Sequence, residues 1–244
     1  MPDASLENQI VLAIDSAMNG CGAAICFSNK SSAGVSEVVP MVRGQAEALV
    51  PLVVDVCARA GVKFDDIDLI ATTRGPGTFT GLRVGLSAAR SFALALNVPL
   101  VGFSTLEVLA RAALNANTHS PANIAVVVES KRSDFYFQLF DSSGASLTAP
   151  VALDAVQIQA ELSGHTGVIV GDGVERLLEE ISDSAVEGFV SHSGYDLPDP
   201  QIMAEMALSG AEAGAACADV VPLYLREADV SFPKQMPRIL EKIE

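Results

Sequence analysis

Tryptophan is absent from this 244-residue chain, and aromatic residues make up only 5% of it. Platforms that stack RNA bases need interleaved aromatic side chains, so this composition disfavours one. Basic residues are also scarce: 15 Lys and Arg stand against 30 Asp and Glu, which leaves a formal net charge of −15. Because phosphate backbones are bound by clustered Lys and Arg, we do not expect the chain to bind RNA by itself.

Long uninterrupted apolar runs are also missing, although 50% of the residues are hydrophobic. The most apolar stretch, residues 84–114, is interrupted by Arg90, Asn97, Pro99, Glu107 and Arg111. A membrane-spanning helix needs about 20 apolar residues in succession, so none is predicted. Residues 1–7 carry neither a basic region nor an apolar run, which predicts no signal peptide. We therefore expect a cytoplasmic protein without membrane contact.

Cysteine and histidine are too scattered to predict a metal site. The four Cys residues form no C-x-x-C pair, and the three His residues show no H-x-x-x-H spacing. Zinc sites are built from such spacings, so we predict no bound metal. The cysteines are expected to be reduced thiols in a reducing compartment.

What the chain does contain is a regular alternation of strand and helix patterns. A short run of branched apolar residues at 10–14 ends at Asp15, and a tight turn and a returning strand follow it. The run at 124–128 ends at Glu129 and repeats the same arrangement. Helical periodicity from Gln45 onward alternates with further strands. These patterns predict an α/β fold with an internal duplication, in which mixed sheets are flanked by helices.

The loop at residues 74–81 is the most informative local feature, because it is rich in glycine and lies between a predicted strand and a predicted helix. Exposed backbone N–H groups at such a point can hold an anion or a nucleotide, with Asp15, Gly75, Gly77 and Thr78 as candidate residues. No Gly-Lys-Ser/Thr follows, so the loop is not a P-loop, and it lacks the third glycine of a dinucleotide fingerprint. The alternatives are a tight turn in which Thr78 or Thr80 caps the helix, or a contact with a partner.

The helix predicted to follow this loop is apolar on nearly all sides. Gly81, Gly85, Ala89 and Ala93 are spaced by four and form a stripe of small residues, with Phe92 beside it. A helix of this kind must be buried on more than one side, and glycine inside it costs about 1 kcal/mol relative to alanine. Either an adjacent helix of the same lobe or a partner protein covers the stripe, and we take these five residues as candidates for a partner interface.

Residues 75–85, which read GPGTFTGLRVG, form a motif that resembles a known family. With residues 13–16 (AIDS) before that block and residues 99–107 (PLVGFSTLE) after it, the chain resembles the TsaB (YeaZ) family. The likeness is strongest from 10 to 110 and returns at 129–136 and 222–226.

The resemblance implies an actin-like (ASKHA) fold with two ribonuclease-H-like lobes, which we place at residues 1–104 and 105–244. It implies a non-catalytic scaffold in the synthesis of N6-threonylcarbamoyladenosine next to the tRNA anticodon. The implied partners are a TsaD-type catalytic paralogue, a TsaE-type ATPase and a second copy of the chain. Transfer-RNA would be contacted only through the complex, which uses ATP, and the chain itself would need no cofactor and carry no catalytic residue.

Two departures from the family pattern matter. Gln45 stands where relatives often have histidine, and Glu129-Ser130-Lys131 replaces a usual Asp-Ala-Arg. The metal-binding H-x-x-x-H of the catalytic paralogue corresponds here to residues 104–108, which contain no histidine. A metal-dependent transferase or protease is therefore disfavoured. The alternative function is an actin-fold nucleotide hydrolase or kinase that uses Asp15 and the 74–81 loop.

Overall fold

Two five-stranded mixed sheets form the framework of the protein. The computed structural model describes residues 8–29, 33–116, 121–181, 186–212 and 220–226. The first sheet contains β1 (Ile10–Asp15), β2 (Gly20–Phe27), β3 (Val35–Pro40), β4 (Leu69–Thr73) and β5 (Leu100–Phe103). The second sheet contains β6 (Asn123–Glu129), β7 (Phe135–Asp141), β8 (Val151–Leu153), β9 (Gly167–Val170) and β10 (Phe189–Ser191).

The two sheets share one topology. Their strand orders are β3-β2-β1-β4-β5 and β10-β9-β6-β7-β8, so the same order appears twice when the second sheet is read from its other edge. β1 pairs antiparallel with β2 and parallel with β4, and β6 does the same with β7 and β9. This repetition confirms the predicted internal duplication and the α/β fold of two ribonuclease-H-like lobes with mixed sheets.

Helices follow the strands in the same order in each repeat. They are α1 (Gln45–Ala60), α2 (Phe79–Leu96), α3 (Thr105–Ala116), α4 (Ala155–Leu162), α5 (Val174–Glu180) and α6 (Pro200–Glu212). A short 3₁₀ turn spans Phe64–Asp66. α1 ends at Gly61, which caps it in the left-handed conformation that suits glycine. Among the described residues no helix is long and apolar enough to cross a membrane.

The central strand β1 is buried on both faces, which explains its continuous apolar sequence. Leu12 and Ile14 pack with α1 and α2 on the outer face of the first sheet. Val11 and Ala13 point the opposite way, into a cluster that contains Met203 of α6. The first sheet is thus covered on one side by its own helices and on the other by a helix that follows the second sheet.

The last helix of each repeat crosses to the other lobe. α3 follows β5 but packs on the second sheet, where Leu106 and Leu109 meet Ile124 and Val126. α6 follows β10 but packs on the first sheet, and α3 and α6 also contact one another between the sheets. α4 and α5 cover the outer face of the second sheet. The boundary between residues 104 and 105 stays a prediction.

Candidate functional site

Asp15 lies at the carboxyl end of β1 with only 2% of its surface exposed. Its carboxylate accepts hydrogen bonds from the Thr73 hydroxyl, at the end of β4, and from the backbone N–H of Ala17. Burial raises the pKa of Asp15 to about 6 because the charged form loses its water, while the two hydrogen bonds act in the opposite direction. Asp15 therefore joins two central strands to the turn that follows β1.

The 74–81 loop lies directly over this turn. The backbone N–H of Thr78 donates to the carbonyl of Ala17 at 2.6 Å. Gly77 lies so close that an added Cβ would come within 3.0 Å of the same carbonyl oxygen. Ala17 also packs with Leu82, Leu86 and Val220 in a small buried cluster. The loop and its cluster therefore pack on Ala17, whose backbone N–H binds the Asp15 carboxylate.

The structure brings the residues of the candidate anion-binding loop together, but several backbone N–H groups of the loop donate to atoms of the protein itself. Thr78 is the helix N-cap, which decides between the two alternatives Thr78 and Thr80: its hydroxyl accepts from the backbone N–H of Gly81 at 3.2 Å. The N–H of Leu82 donates to the Thr78 carbonyl, and that of Thr78 is bound to Ala17. Gly75 has a φ of 101°, which favours glycine. These bonds support a structural role for the loop, and anion binding by Asp15, Gly75, Gly77 and Thr78 stays a prediction.

The stripe of small residues on α2 faces its own lobe, so its assignment as a partner interface needs correction. Gly81 and Ala89 are buried, and the Ser16 hydroxyl donates to the Gly81 carbonyl at 2.8 Å. A Cβ at Gly85 would lie 2.8 Å from that hydroxyl oxygen. Ala93 packs against the same core. The small residues let α2 approach the turn after β1, so the stripe is covered within its own lobe, but by this turn and not by the adjacent helix that was the alternative.

Phe92 also points inward, where its ring stacks on Phe64 with centroids 5.5 Å apart. Other positions of α2 form its outward face. Ser87, Ser91 and Ala95 are exposed there at a spacing of four, and Leu94 is 84% exposed. On neighbouring α1, Val50 and Val54 are 47% and 48% exposed. Sequence reasoning missed this face, although the second stripe of small residues was a usable signal.

The two departures from the family pattern both take part in local structure. The Gln45 side-chain amide donates to the Met41 carbonyl at 3.2 Å, at the start of α1. Glu129 forms a salt bridge with Arg176 at 2.6 Å. The Arg176 guanidinium also donates to the Asp134 carbonyl at 2.9 Å and lies 3.7 Å from the centre of the Phe135 ring. Glu129 thus fixes the turn between β6 and β7.

A second buried carboxyl lies beside this turn. Asp172 accepts a hydrogen bond from the backbone N–H of Glu129 at 2.9 Å, and burial raises its pKa to about 6. Within the described ranges, no group of three or more His, Cys, Asp and Glu residues is placed to hold a metal ion.

Two lobes of identical topology that exchange their last helices define the class of protein as actin-like. The solved structure of YeaZ from Pseudomonas aeruginosa has this fold: it superposes with a TM-score of 0.76 at 22% identity and covers 89% of this chain and 100% of that one. The sequence model described as "TsaD: tRNA N6-adenosine threonylcarbamoyltransferase" matches residues 30–239.

Curated relatives carry a more specific name. The tRNA threonylcarbamoyladenosine biosynthesis protein TsaB of Escherichia coli strain K12 is 31% identical over 127 residues, which is 52% of this chain and 53% of that protein. The Haemophilus influenzae TsaB is 26% identical over 132 residues, 54% of each. The chain thus spans about half the length of these relatives. The chain belongs to the TsaD family and, within it, to the TsaB (YeaZ) family.

Replacing Gly81 by alanine tests the close approach of α2 to β1. The new methyl group would lie within 3.0 Å of the Ser16 carbonyl oxygen. We expect Gly81→Ala to lower the free energy of unfolding by about 1–3 kcal/mol. In the matched control Gly210→Ala, in α6, no neighbouring atom lies within 4 Å of the added carbon. The free energy of unfolding of that variant should be up to about 1 kcal/mol higher than that of the native chain. Urea unfolding measures both, and a Gly81→Ala chain of native stability would contradict the packing.

The raised pKa of Asp15 predicts a pH-dependent effect of Asp15→Asn. Since the pKa rises from 3.8 to about 6 on folding, this carboxyl favours the folded state most at low pH and loses that contribution as pH rises through 6. Asparagine keeps an acceptor oxygen but carries no charge. The stability of the variant relative to the native chain should increase by about 1 kcal/mol between about pH 5 and about pH 7.5. Urea unfolding at both pH values measures this difference, and an unchanged difference would refute it.

Proposed function

We propose that the chain is a non-catalytic subunit of the machinery that makes N6-threonylcarbamoyladenosine in tRNA, where it stabilises and activates a TsaD-type catalytic paralogue. Family membership supports a role for the chain in this pathway, since relatives are named for threonylcarbamoyladenosine biosynthesis. The proposed complex also contains a TsaE-type ATPase, consumes ATP and contacts the tRNA, while this chain works in the cytoplasm without a cofactor of its own.

The observation that carries the non-catalytic role is the enclosure of Asp15. A nucleotide hydrolase or kinase would need this carboxylate to reach a metal–nucleotide complex. In the structure it is 2% exposed and bonded to Thr73 and Ala17, beneath the 74–81 loop. Moving the loop aside would break the Thr78–Ala17 hydrogen bond and expose the apolar cluster of Leu82 and Leu86. This cost favours a scaffold over the alternative enzyme.

The outer face of α1 and α2 is our proposed surface for the paralogue. We name it the α1–α2 face and define it by Val50, Val54, Ser87, Ser91 and Leu94. Its three apolar members are 47–84% exposed, and its serines are small enough for close packing by another helix. An exposed apolar surface on helices that already cover a core is typical of a protein interface. The second copy of the chain in self-association would use the same face.

Reconstitution tests the function directly. The purified paralogue, the ATPase, tRNA and threonylcarbamoyl-adenylate are combined with and without this chain, and the modified nucleoside is measured by mass spectrometry after digestion. We expect modification only when the chain is present, because the paralogue needs its stabilising contact. The chain alone with tRNA should produce none. Full modification in the mixture that lacks the chain would refute the scaffold role.

A charge placed on the α1–α2 face tests the interface. Val54→Glu should weaken pairing with the paralogue at least about tenfold, because an unpaired carboxylate would be buried in an apolar contact. The matched control is Val156→Glu on α4 of the second lobe, where the valine is 73% exposed. Analytical ultracentrifugation of both mixtures measures pairing. If Val54→Glu pairs as tightly as the control, the interface lies elsewhere.

A further inference from the structure

The turn between β6 and β7, residues 130–134, lies where the second lobe faces the first. It forms one wall of a cleft of about 960 Å³, whose other walls are the start of α2 and the segment 223–226. Between the sheets, α3 and α6 contact one another and join the lobes through buried apolar side chains. The turn adds contacts of a different kind, because its polar side chains reach from the second lobe to the first.

Lys131 makes the first of these contacts. Its ammonium group donates a hydrogen bond to the side-chain oxygen of Asn19, in the turn after β1, at 3.0 Å. Lys131 has a φ of 60°, a left-handed conformation that residues with a Cβ adopt at a cost. Asn19 is itself held in place, since its carbonyl accepts from the backbone N–H of Met41 at 2.9 Å. The contact therefore joins one turn of each lobe across 112 positions of the sequence.

Asp134 makes the second contact, an ion pair with Arg226 at 3.1 Å. Arg226 ends a segment that is attached to the first lobe. Val220 is only 8% exposed and packs against α2, and the backbone N–H of Leu223 donates to a carbonyl of the 74–81 loop at 2.7 Å. The ion pair therefore ties the β6–β7 turn to the first lobe a second time.

The β6–β7 turn is firmly held by its own lobe, whereas its two contacts with the first lobe are open to solvent. Glu129 forms a salt bridge with Arg176 at 2.6 Å, and Arg176 also donates to the Asp134 carbonyl at 2.9 Å. The Arg226 side chain is 35% exposed, and Lys131 is exposed. Ion pairs that water can reach contribute little free energy and are weakened by salt. The contacts between the lobes can therefore release while the turn keeps its shape.

We propose that the β6–β7 turn is a clasp that sets how far the two lobes open, with the contacts of Lys131 and Asp134 as its two releasable ends. Both contacts cross between the lobes beside the cleft. Breaking either one lets the lobes move apart at this edge, while α3 and α6 keep them joined. The proposal goes beyond the scaffold function and does not rest on it, because the opening of the lobes is a property of this chain without a partner.

Hydrogen exchange of the full chain, followed by mass spectrometry, tests the clasp. Arg226→Gln releases one end of it. Lys131→Asn releases the other, because asparagine is shorter, carries no charge and tolerates a positive φ. In both variants the backbone amides of residues 17–20 and 130–134 should exchange at least about threefold faster than in the native chain. The amides of β1 and β6 should exchange as in the native chain, because global unfolding does not become more frequent.

Controls separate release of the clasp from loss of a surface charge. Arg59→Gln breaks exposed ion pairs with Glu37 and Asp55 inside the first lobe, and it should exchange like the native chain. Arg226→Lys keeps the positive charge and should restore most of the native protection. Salt at about 1 M should accelerate exchange at 17–20 in the native chain much more than in Arg226→Gln, because it screens the ion pair.

The decisive amides for Arg226→Gln are those of residues 17–20, because they belong to the other contact of the clasp. Native exchange rates there would overturn the proposal. An acceleration confined to residues 223–226 would overturn it as well, because the ion pair would then hold only its own segment.

Discussion

The close approach of α2 to the turn after β1 is the contact on which the rest of the structure depends. Glycines at 77, 81 and 85 leave room for it, and the Thr78–Ala17 and Ser16–Gly81 hydrogen bonds hold it. This one contact encloses Asp15 and sets the rotation of α2 about its own axis. The rotation turns Ser87, Ser91 and Leu94 outward. The start of the helix carries Phe79 and Arg83 to a cleft that it lines together with the turn between β6 and β7 and the segment 223–226. The enclosure of Asp15, the outward face of α2 and the position of Phe79 and Arg83 therefore all depend on the contact between α2 and the turn after β1.

Charge and composition have different meanings at the scale of the chain and at the scale of a site. A net charge of −15 and 5% aromatic residues argue against a protein whose whole surface binds RNA. They do not describe the cleft, where cations and two exposed rings from three segments meet. Averages over a sequence are insensitive to such convergence, because the residues concerned are spread from position 79 to position 226.

The regular elements could largely be predicted from local pattern. The helical pattern from Gln45, the helix after the 74–81 loop and the duplicated hairpins all agree with the structure. The edge strands β8 and β10 were missed because each has three residues that are at most partly buried, so neither shows an alternating pattern. The exchange of α3 and α6 between the lobes was also missed. An apolar helix face shows that something covers it, but not which sheet does so.

The sequence by itself determined most of the strand and helix order, the internal repeat and the family, because strand and helix periods, caps and an eleven-residue motif are local properties. Tertiary structure alone decided which side of α2 is buried. A helix that is apolar on nearly every side has no single face to direct inward, so its rotation is set by the steric match between Gly81 and Gly85 and the turn at Ser16. Long-range contacts produce the exposed valines of α1, the enclosure of Asp15 and the basic cleft. No local sequence pattern predicts these features.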